Sequence, residues 1–316
     1  MDPDAFGSLS AFYYILKSKW YQVVAVNDMM PPESFGFLRV NDIFQTDLDI
    51  SAFNPDLIIS FDASSLDQLW DQYKNNLETF QSTDFYVIDH HASNHGFGQY
   101  NIVDPEASST CEITLKIIEQ LGLQDVMTPK IATLLTAGLH TDTNIYYNQN
   151  TSPDTLRAWA KLMEYWADFR LPMFEFFKKK TFNKTKLWGQ LLSNIQSLPL
   201  HSVTSTPFTK GRENNEYIYY WIISEQMFSD THTTQEDASW IINEFLANME
   251  GMQVCFLIYP LPNWETKVSM RSSATDVSAI ASSHGWGGHK LAAWYQTKLS
   301  PQQTAENLLA QLKKEL

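Results

Sequence analysis

The stretch Phe85-Tyr86-Val87-Ile88-Asp89-His90-His91-Ala92-Ser93-Asn94 decides how the rest of this chain is read. An apolar run, residues 85–88, stops at one acid and two imidazoles. In α/β proteins ligands bind where parallel strands end, so a buried strand that delivers polar side chains at its carboxyl end is building a site. One imidazole can bind a metal through a neutral nitrogen while its neighbour stays free to hydrogen-bond a phosphate. Taken alone, the triplet reads as readily as a polar strand end with solvated histidines. Its surroundings decide.

Upstream, residues 56–61 read as a second strand, ending at Asp62 and followed by Ala63-Ser64-Ser65 and an amphipathic segment from Leu66. The grammar of strand, acid, small polar residues and helix repeats that at Asp89. A further strand is expected at 21–26. The chain opens Met1-Asp2-Pro3-Asp4-Ala5-Phe6-Gly7-Ser8 ahead of an apolar helical pattern over 9–16. Acids flanking a Pro suit the first turn of a helix, so a cap is the plain reading of Asp2 and Asp4.

Downstream, Ser108-Ser109-Thr110 opens a helix expected over 111–121. A helix over 131–139 should end in a compact polar turn, Gly138-Leu139-His140-Thr141-Asp142-Thr143-Asn144, with Asp142 at its centre. Ser152-Pro153-Asp154 is a strong start for a helix over 156–167. An amphipathic segment over 181–197 reads as a connector. Strands at 217–223, 254–259 and 267–271 then alternate with helices at 238–248 and 277–284, and Leu308, Leu309, Leu312 and Leu316 stripe a last helix. The expected fold class is α/β, with a parallel-sheet N-terminal domain over 1–186, a linker helix and connector over 187–200, and a smaller α/β domain over 201–316. The active site is expected in the cleft between the domains.

Composition narrows the function. At 316 residues two domains are expected, and 44% hydrophobic with 18% charged residues describes a folded protein. A net charge of −14 argues against a grip on long duplex DNA, which needs basic stripes to displace counterions. It leaves room for a small anionic substrate held by metal ions and a few local bases. Cys111 and Cys255 have no metal-ligand spacing and suit buried thiols in a reducing cytoplasm, the expected location. No apolar run is long enough for a membrane helix, and no signal peptide is visible.

Asp2, Asp4, Asp62, Asp89, His90, His91 and Asp142 are the candidate ligands. Carboxylates with one or two imidazoles favour Mn²⁺ or Mg²⁺, and the lack of thiol ligands argues against structural zinc. Beyond residue 201, Ser269-Met270-Arg271-Ser272-Ser273 ends a strand, and Gly285-Trp286-Gly287-Gly288-His289-Lys290 follows a helix. Glycines let backbone N–H groups approach an anion, and Arg offers bidentate phosphate contacts. By itself the glycine turn is an ordinary helix C-cap; beside Arg271 it becomes a candidate substrate clamp.

In this order, Asp-Pro-Asp-Ala-Phe-Gly-Ser, strand-Asp62, Asp89-His90-His91, His140-Thr141-Asp142-Thr143 and Gly287-Gly288-His289 resemble the DHH phosphoesterase superfamily. The two-domain layout is similar to its RecJ-like subgroup of stand-alone nanoRNases and pAp phosphatases, which carry a C-terminal DHH-associated domain. The resemblance implies hydrolysis of short oligoribonucleotides, linear dinucleotides of the pApA type or pAp, by a two-metal mechanism with hydroxide as nucleophile. It implies two Mn²⁺ per chain, with Mg²⁺ or Co²⁺ able to replace them, and admits a homodimer. Asp2 and Asp62 would hold one metal; Asp4, Asp62, His90 and Asp142 would hold the other. His90, His91 and Asp89 would be catalytic, His91 contacting the phosphate and Asp89 supporting the pair. Arg271, Gly287, Gly288 and His289 would bind substrate.

Two departures from the family pattern stand out. A strand and a metal-ligating His normally precede the first Asp and would fall before Met1, so either the start is truncated or misassigned, or the ligand is lost. In the glycine loop Trp286 stands where Gly is usual, and Trp294 is likewise unusual; a Trp there stacks on a base or fills space. The alternatives are an inorganic pyrophosphatase or exopolyphosphatase of the same superfamily, or a catalytically impaired nucleotide-binding homologue. A Ser-Arg-Lys type motif would mark the pyrophosphatase, and Arg271-Ser272-Ser273 departs from it.

Overall fold

The computed structural model describes residues 2–200, 216–239 and 241–315, and the chain forms two compact units, Met1–Lys179 and Lys180–Leu316. The first unit is α/β with parallel strands. Its short strands β1 (Ala25–Val26) and β2 (Phe44–Gln45) pair in parallel, and β3 (Leu57–Phe61), β4 (Asp84–Asp89) and β5 (Tyr100–Val103) form a parallel sheet with β4 central. The strand expected over 21–26 is thus confined to its last two residues. Phe85, Val87 and Ile88 are buried, and the strand's last residue, Asp89, is buried with them.

Three helices pack together at the centre of this unit's main core, which the helix Pro153–Glu164 and the segment 35–44 complete. The helix Pro3–Ser18 packs on Pro129–Asp142 and on Thr110–Gln120, burying Phe6, Ile15, Leu115, Ile118, Leu134 and Leu135. Small residues make the first crossing tight. A Cβ on Gly7 would lie 2.5 Å from the Leu134 carbonyl oxygen, and one on Gly138 would lie 2.8 Å from Asp4 Cα. Pro129 takes the first helical position behind the Thr128 cap, where its missing N–H is not needed. This helix runs through Asp142, so the expected polar turn at 138–144 is instead a last helical turn, and only residues beyond Asp142 leave it.

The second unit is built on a six-stranded mixed sheet. Its strands are β6 (Gln196–Leu200), β7 (Glu216–Ile222), β8 (Met252–Pro260), β9 (Thr266–Ser272), β10 (Gly288–His289) and β11 (Ala292–Thr297), in the order β10-β11-β9-β8-β7-β6. Only β7 and β8 run parallel. One core, with Trp221, Cys255, Leu257 and Tyr259, lies on one face, and another, with Phe256, Val268, Met270 and Tyr295, on the other. Residues 201–215, at the start of the expected second domain, and Leu316 lie outside the described residues.

The expected division at 186, with a connector over 187–200, is corrected. The unit boundary falls at Lys179, because the helix Phe182–Ser193 puts Leu187, Trp188 and Leu191 into the second unit's core and β6 extends its sheet. The helix expected over 238–248 is broken into Gln235–Ser239, Ile241–Glu244 and a 3-10 turn Leu246–Asn248. Among the described residues no helix is long and apolar enough to cross a membrane.

Candidate metal centre

Asp89, His90 and His91 stand at the carboxyl end of β4, and Asp62 follows the end of the neighbouring β3. Asp62 adopts a left-handed backbone, φ 56°, while its N–H donates to the Ile88 carbonyl oxygen at 2.9 Å. A non-glycine residue in that region is uncommon and marks a turn the surroundings hold in place. Two helix termini complete the ring. Asp4 lies in the first turn of Pro3–Ser18 and Asp142 in the last turn of Pro129–Asp142.

These ends converge on one imidazole nitrogen. His90 Nε2 lies 3.1 Å from Asp142 Oδ2, 3.7 Å from Asp62 Oδ1 and 3.9 Å from Asp4 Oδ2. Asp4, His90 and Asp142 offer ligand atoms all within 4.8 Å of one another, and so do Asp62, His90 and His91. Asp4 is fully buried and also caps a helix: its Oδ2 accepts from the Thr110 N–H at 2.6 Å and its Oδ1 from the Cys111 N–H at 2.9 Å. Those N–H groups open the helix Thr110–Gln120, where the dipole favours an anion. Thr110 Oγ1 donates to Asp62 Oδ1 at 2.9 Å. Thr110 therefore ties the two acids together, a role that no motif in the sequence announced.

The acids repel one another. Burial, then the charges of Asp142 and Asp62, pushes Asp4 well above the usual carboxylate range. Burial and the Asp2 charge push Asp62 up to about 6, against the attraction of His90 and His91. Burial, Asp2 and Asp62 push Asp142 up to about 8. Buried carboxylates held this close are costly unless positive charge joins them. A divalent cation with oxygen and imidazole ligands fits this donor set.

Asp2 proves to be a helix cap. Its Oδ1 accepts from the N–H groups of Asp4 at 3.0 Å and Ala5 at 3.2 Å, and the residue is exposed. Its charge still raises Asp62 and Asp142, but it is not among the residues whose ligand atoms lie within 4.8 Å of one another.

His91 faces a different partner. Its Nδ1 bonds Asp89 Oδ1 at 2.8 Å, and Asn94 Nδ2 donates to Asp89 Oδ2 at 2.8 Å and to the Ala63 carbonyl at 3.0 Å. Burial works to raise Asp89, but the bonds from His91 and Asn94 outweigh it and hold the carboxyl below its usual range. The same Asp89 bond raises His91 above the usual imidazole value, against desolvation. The imidazole is half-buried, with its second nitrogen not used by Asp89. The pair is an acid–imidazole dyad in which the carboxylate orients the ring and favours its protonated form.

Past Asp142 the chain makes a left-handed turn of three consecutive non-glycine residues, Asn144, Ile145 and Tyr146, at φ 48°, 54° and 64°. Each carries a cost of ~1–2 kcal/mol in this region. The turn is held by Ile145 N–H to the His140 carbonyl at 2.8 Å and by Tyr146 N–H to Thr143 Oγ1 at 3.0 Å. Asn148 and Asn150 side chains donate to the Asp142 carbonyl at 2.9 and 3.3 Å. His140 lies buried against the Tyr146 ring, and burial lowers it to about 4. It is a neutral core residue.

In the second unit, Arg271 lies on β9, with Nε donating to Asn243 Oδ1 at 2.9 Å and Nη1 to the Met270 carbonyl at 2.7 Å. His289 pairs with Ala292, and Ala292 with Arg271, so these three backbones form one row across β10, β11 and β9. The glycine loop divides by role. Gly285, φ 79°, ends the helix Val277–Ser283: its N–H bonds the Ser282 carbonyl and that of Trp286 the Ala281 carbonyl. This is a Schellman cap, the plain reading of a glycine turn. Gly288 is needed for a close approach, since a Cβ there would meet Ala293 Cα at 2.6 Å. A Cβ on Gly287 would meet open space.

Residues 1–139 match the DHH family, N-terminal domain, and residues 214–316 match the DHHA1 domain. An uncharacterised protein of Mycoplasma genitalium is 26% identical, over 92% of this chain and 82% of its own. The bifunctional oligoribonuclease and PAP phosphatase NrnA of Bacillus subtilis is 24% identical, over 92% of this chain and 85% of its own. The structure of an exopolyphosphatase-related protein from Bacteroides fragilis superposes with a TM-score of 0.83 at 17% identity, covering 100% of this chain and 89% of that one. At that identity the likeness speaks to fold.

Proposed function

The chain belongs to the DHH family, with a DHHA1 domain as its second part, and on that premise we propose that it is a metal-dependent phosphoesterase acting on small nucleotides. Its substrates are oligoribonucleotides a few residues long, linear dinucleotides of the pApA type and pAp. The observation that carries this reading is the convergence of Asp4, Asp62 and Asp142 on His90 Nε2, at 3.1 to 3.9 Å. The substrate class is supported by the Bacillus subtilis relative, a bifunctional oligoribonuclease and PAP phosphatase, which this chain matches over most of both lengths.

Asp4, Asp62, His90 and Asp142 would hold one Mn²⁺, and Asp2 with Asp62 a second, with Mg²⁺ or Co²⁺ as substitutes. Such ions supply positive charge to phosphate oxygens and lower the pKa of water. His91, whose hold on a proton the Asp89 bond strengthens, would in its protonated form donate a hydrogen bond to an oxygen of the scissile phosphate and stabilise the charge that grows there. Asn94 fixes the Asp89 carboxylate, so the imidazole is aimed before substrate arrives. In the second unit, Arg271 and the backbone at Gly287, Gly288 and His289 would bind a phosphate of a nucleotide.

Purified protein with Mn²⁺ should release mononucleotides from di- and triribonucleotides and phosphate from pAp, and leave pyrophosphate intact. Turnover of pyrophosphate alone would overturn the substrate class. No turnover of any of the three would overturn the enzyme reading.

A further inference from the structure

Alternation along β9 puts Lys267, Ser269 and Arg271 on one face of the second sheet, opposite buried Val268 and Met270. Trp294 of β11 lies directly across from Ser269 and shares that face. Over β8 the same face is covered by the core around Leu257 and Tyr259. Asn243, on the helix Ile241–Glu244, reaches as far as Arg271. Beyond it, at β11, the face is open.

Two indoles occupy that open end. Trp286 and Trp294 pack against each other, with ring centroids 4.6 Å apart and planes tilted by 44°. Each keeps more than a third of its surface exposed, 39% and 38%. Trp286 is held in place by the cap at Gly285, through its own N–H to the Ala281 carbonyl. Trp294 is anchored within β11, its N–H bonded to the Gly287 carbonyl at 3.4 Å. Neither indole gains by filling a core. Lys267 Nζ stands 4.7 Å over the Trp294 ring.

Charge selects the ligand. In a chain of net charge −14, the charged side chains this face takes from β9 are Lys267 and Arg271, and β11 adds none. Among the described residues neither cation meets a carboxylate within ion-pair distance; Arg271 is held by a neutral amide and a carbonyl. An aromatic face flanked by two uncompensated cations suits a molecule with a planar π-system and phosphate, that is, a nucleotide.

We propose that the Trp286–Trp294 pair with Lys267 is a stacking platform for a nucleobase of the substrate, with Arg271 holding the attached phosphate. It rests on the phosphoester reading for the identity of the ligand as substrate. Such a platform favours nucleotides over base-free phosphates and tolerates any base, because every base has a π-face.

The test is titration calorimetry of the full-length, Mn²⁺-loaded protein with AMP and with ribose 5-phosphate. AMP should bind at least about fivefold more tightly, since stacking contributes roughly 1–3 kcal/mol per base. Trp286→Ala and Trp294→Ala should each remove most of that preference by weakening AMP alone, and Trp294→Phe should restore much of it. Equal affinity of the wild type for the two ligands would overturn the platform, as would Ala variants that weaken both ligands together. The outcome is separable from the fate of the enzyme reading. AMP preference lost in the Trp variants upholds the platform even if no phosphoester is cleaved. Turnover of short RNA with AMP affinity unchanged in those variants removes the platform and leaves the enzyme.

Discussion

The histidine pair divides its labour through its neighbours. His90 turns toward Asp4, Asp62 and Asp142, and His91 toward Asp89. Because Asp89 raises the His91 pKa, the alkaline limb of a kcat/KM pH profile should fall through that raised value. Asp89→Asn should move the limb to lower pH and reduce kcat/KM about 10–100-fold; a limb that stays in place would detach His91 from the reaction. A second expectation concerns the metal-free protein. Asp62 and Asp142 are raised to about 6 and about 8, so the folded chain holds protons that the unfolded chain has already released. Their contribution to stability is present at low pH and is lost as pH rises through those values. Chelated protein should therefore melt at lower temperature at pH 8 than at pH 5.5, and Mn²⁺ should raise Tm more at the higher pH. An equal Mn²⁺ shift at both would show that these acids do not bind it. The strand-end acids were legible in sequence because an apolar run stopping at Asp is a local signal. Asn94, Thr110 and the Cys111 N–H were not, because their partners lie 5 to 107 residues away.

The helix Pro129–Asp142 is the element that aims the cluster. It presses against Pro3–Ser18 at Gly7 and Gly138, which brings Asp4 and Asp142 to the same nitrogen. Gly138→Ala would drive a methyl into Asp4 Oδ1 and Cys111 Sγ. It should cost ~1–3 kcal/mol of stability and weaken Mn²⁺ activation more than substrate binding, read from separate metal and substrate titrations. The small-residue pattern over 131–139 announced a helix but not its extent. Its end was placed too early because polar residues from 140 to 144 look like a turn, whereas Thr141 and Thr143 satisfy their hydroxyls on the helix's own carbonyls. The left-handed turn from Asn144 to Tyr146 carries no glycine and could not be read from sequence at all. In the second unit β10 and β11 went unseen: the two-residue β10 depends on the close approach at Gly288, and β11 carries no clean alternation of apolar and polar residues.

On the scale of the molecule, two units with separate cores carry different candidate groups. The first carries Asp2, Asp4, Asp62, Asp89 and Asp142; the second carries Lys267, Arg271 and the exposed indoles. The α/β class and the parallel first sheet were legible, since strand ends punctuated by acids have a strong periodic signature. The unit boundary was not, because an amphipathic helix reads the same whether it links two cores or belongs to one. In the proposed function Asp4, Asp62, His90 and Asp142 hold a divalent cation that serves phosphoester hydrolysis. The most direct measurement is a Mn²⁺ titration of pApA turnover in the wild-type protein and in Asp142→Asn. The wild type should show saturable activation and the variant a loss of at least about 100-fold together with a rightward shift of the metal curve. Wild-type turnover that is independent of added metal and survives chelation, or a variant with the same metal curve, would contradict it.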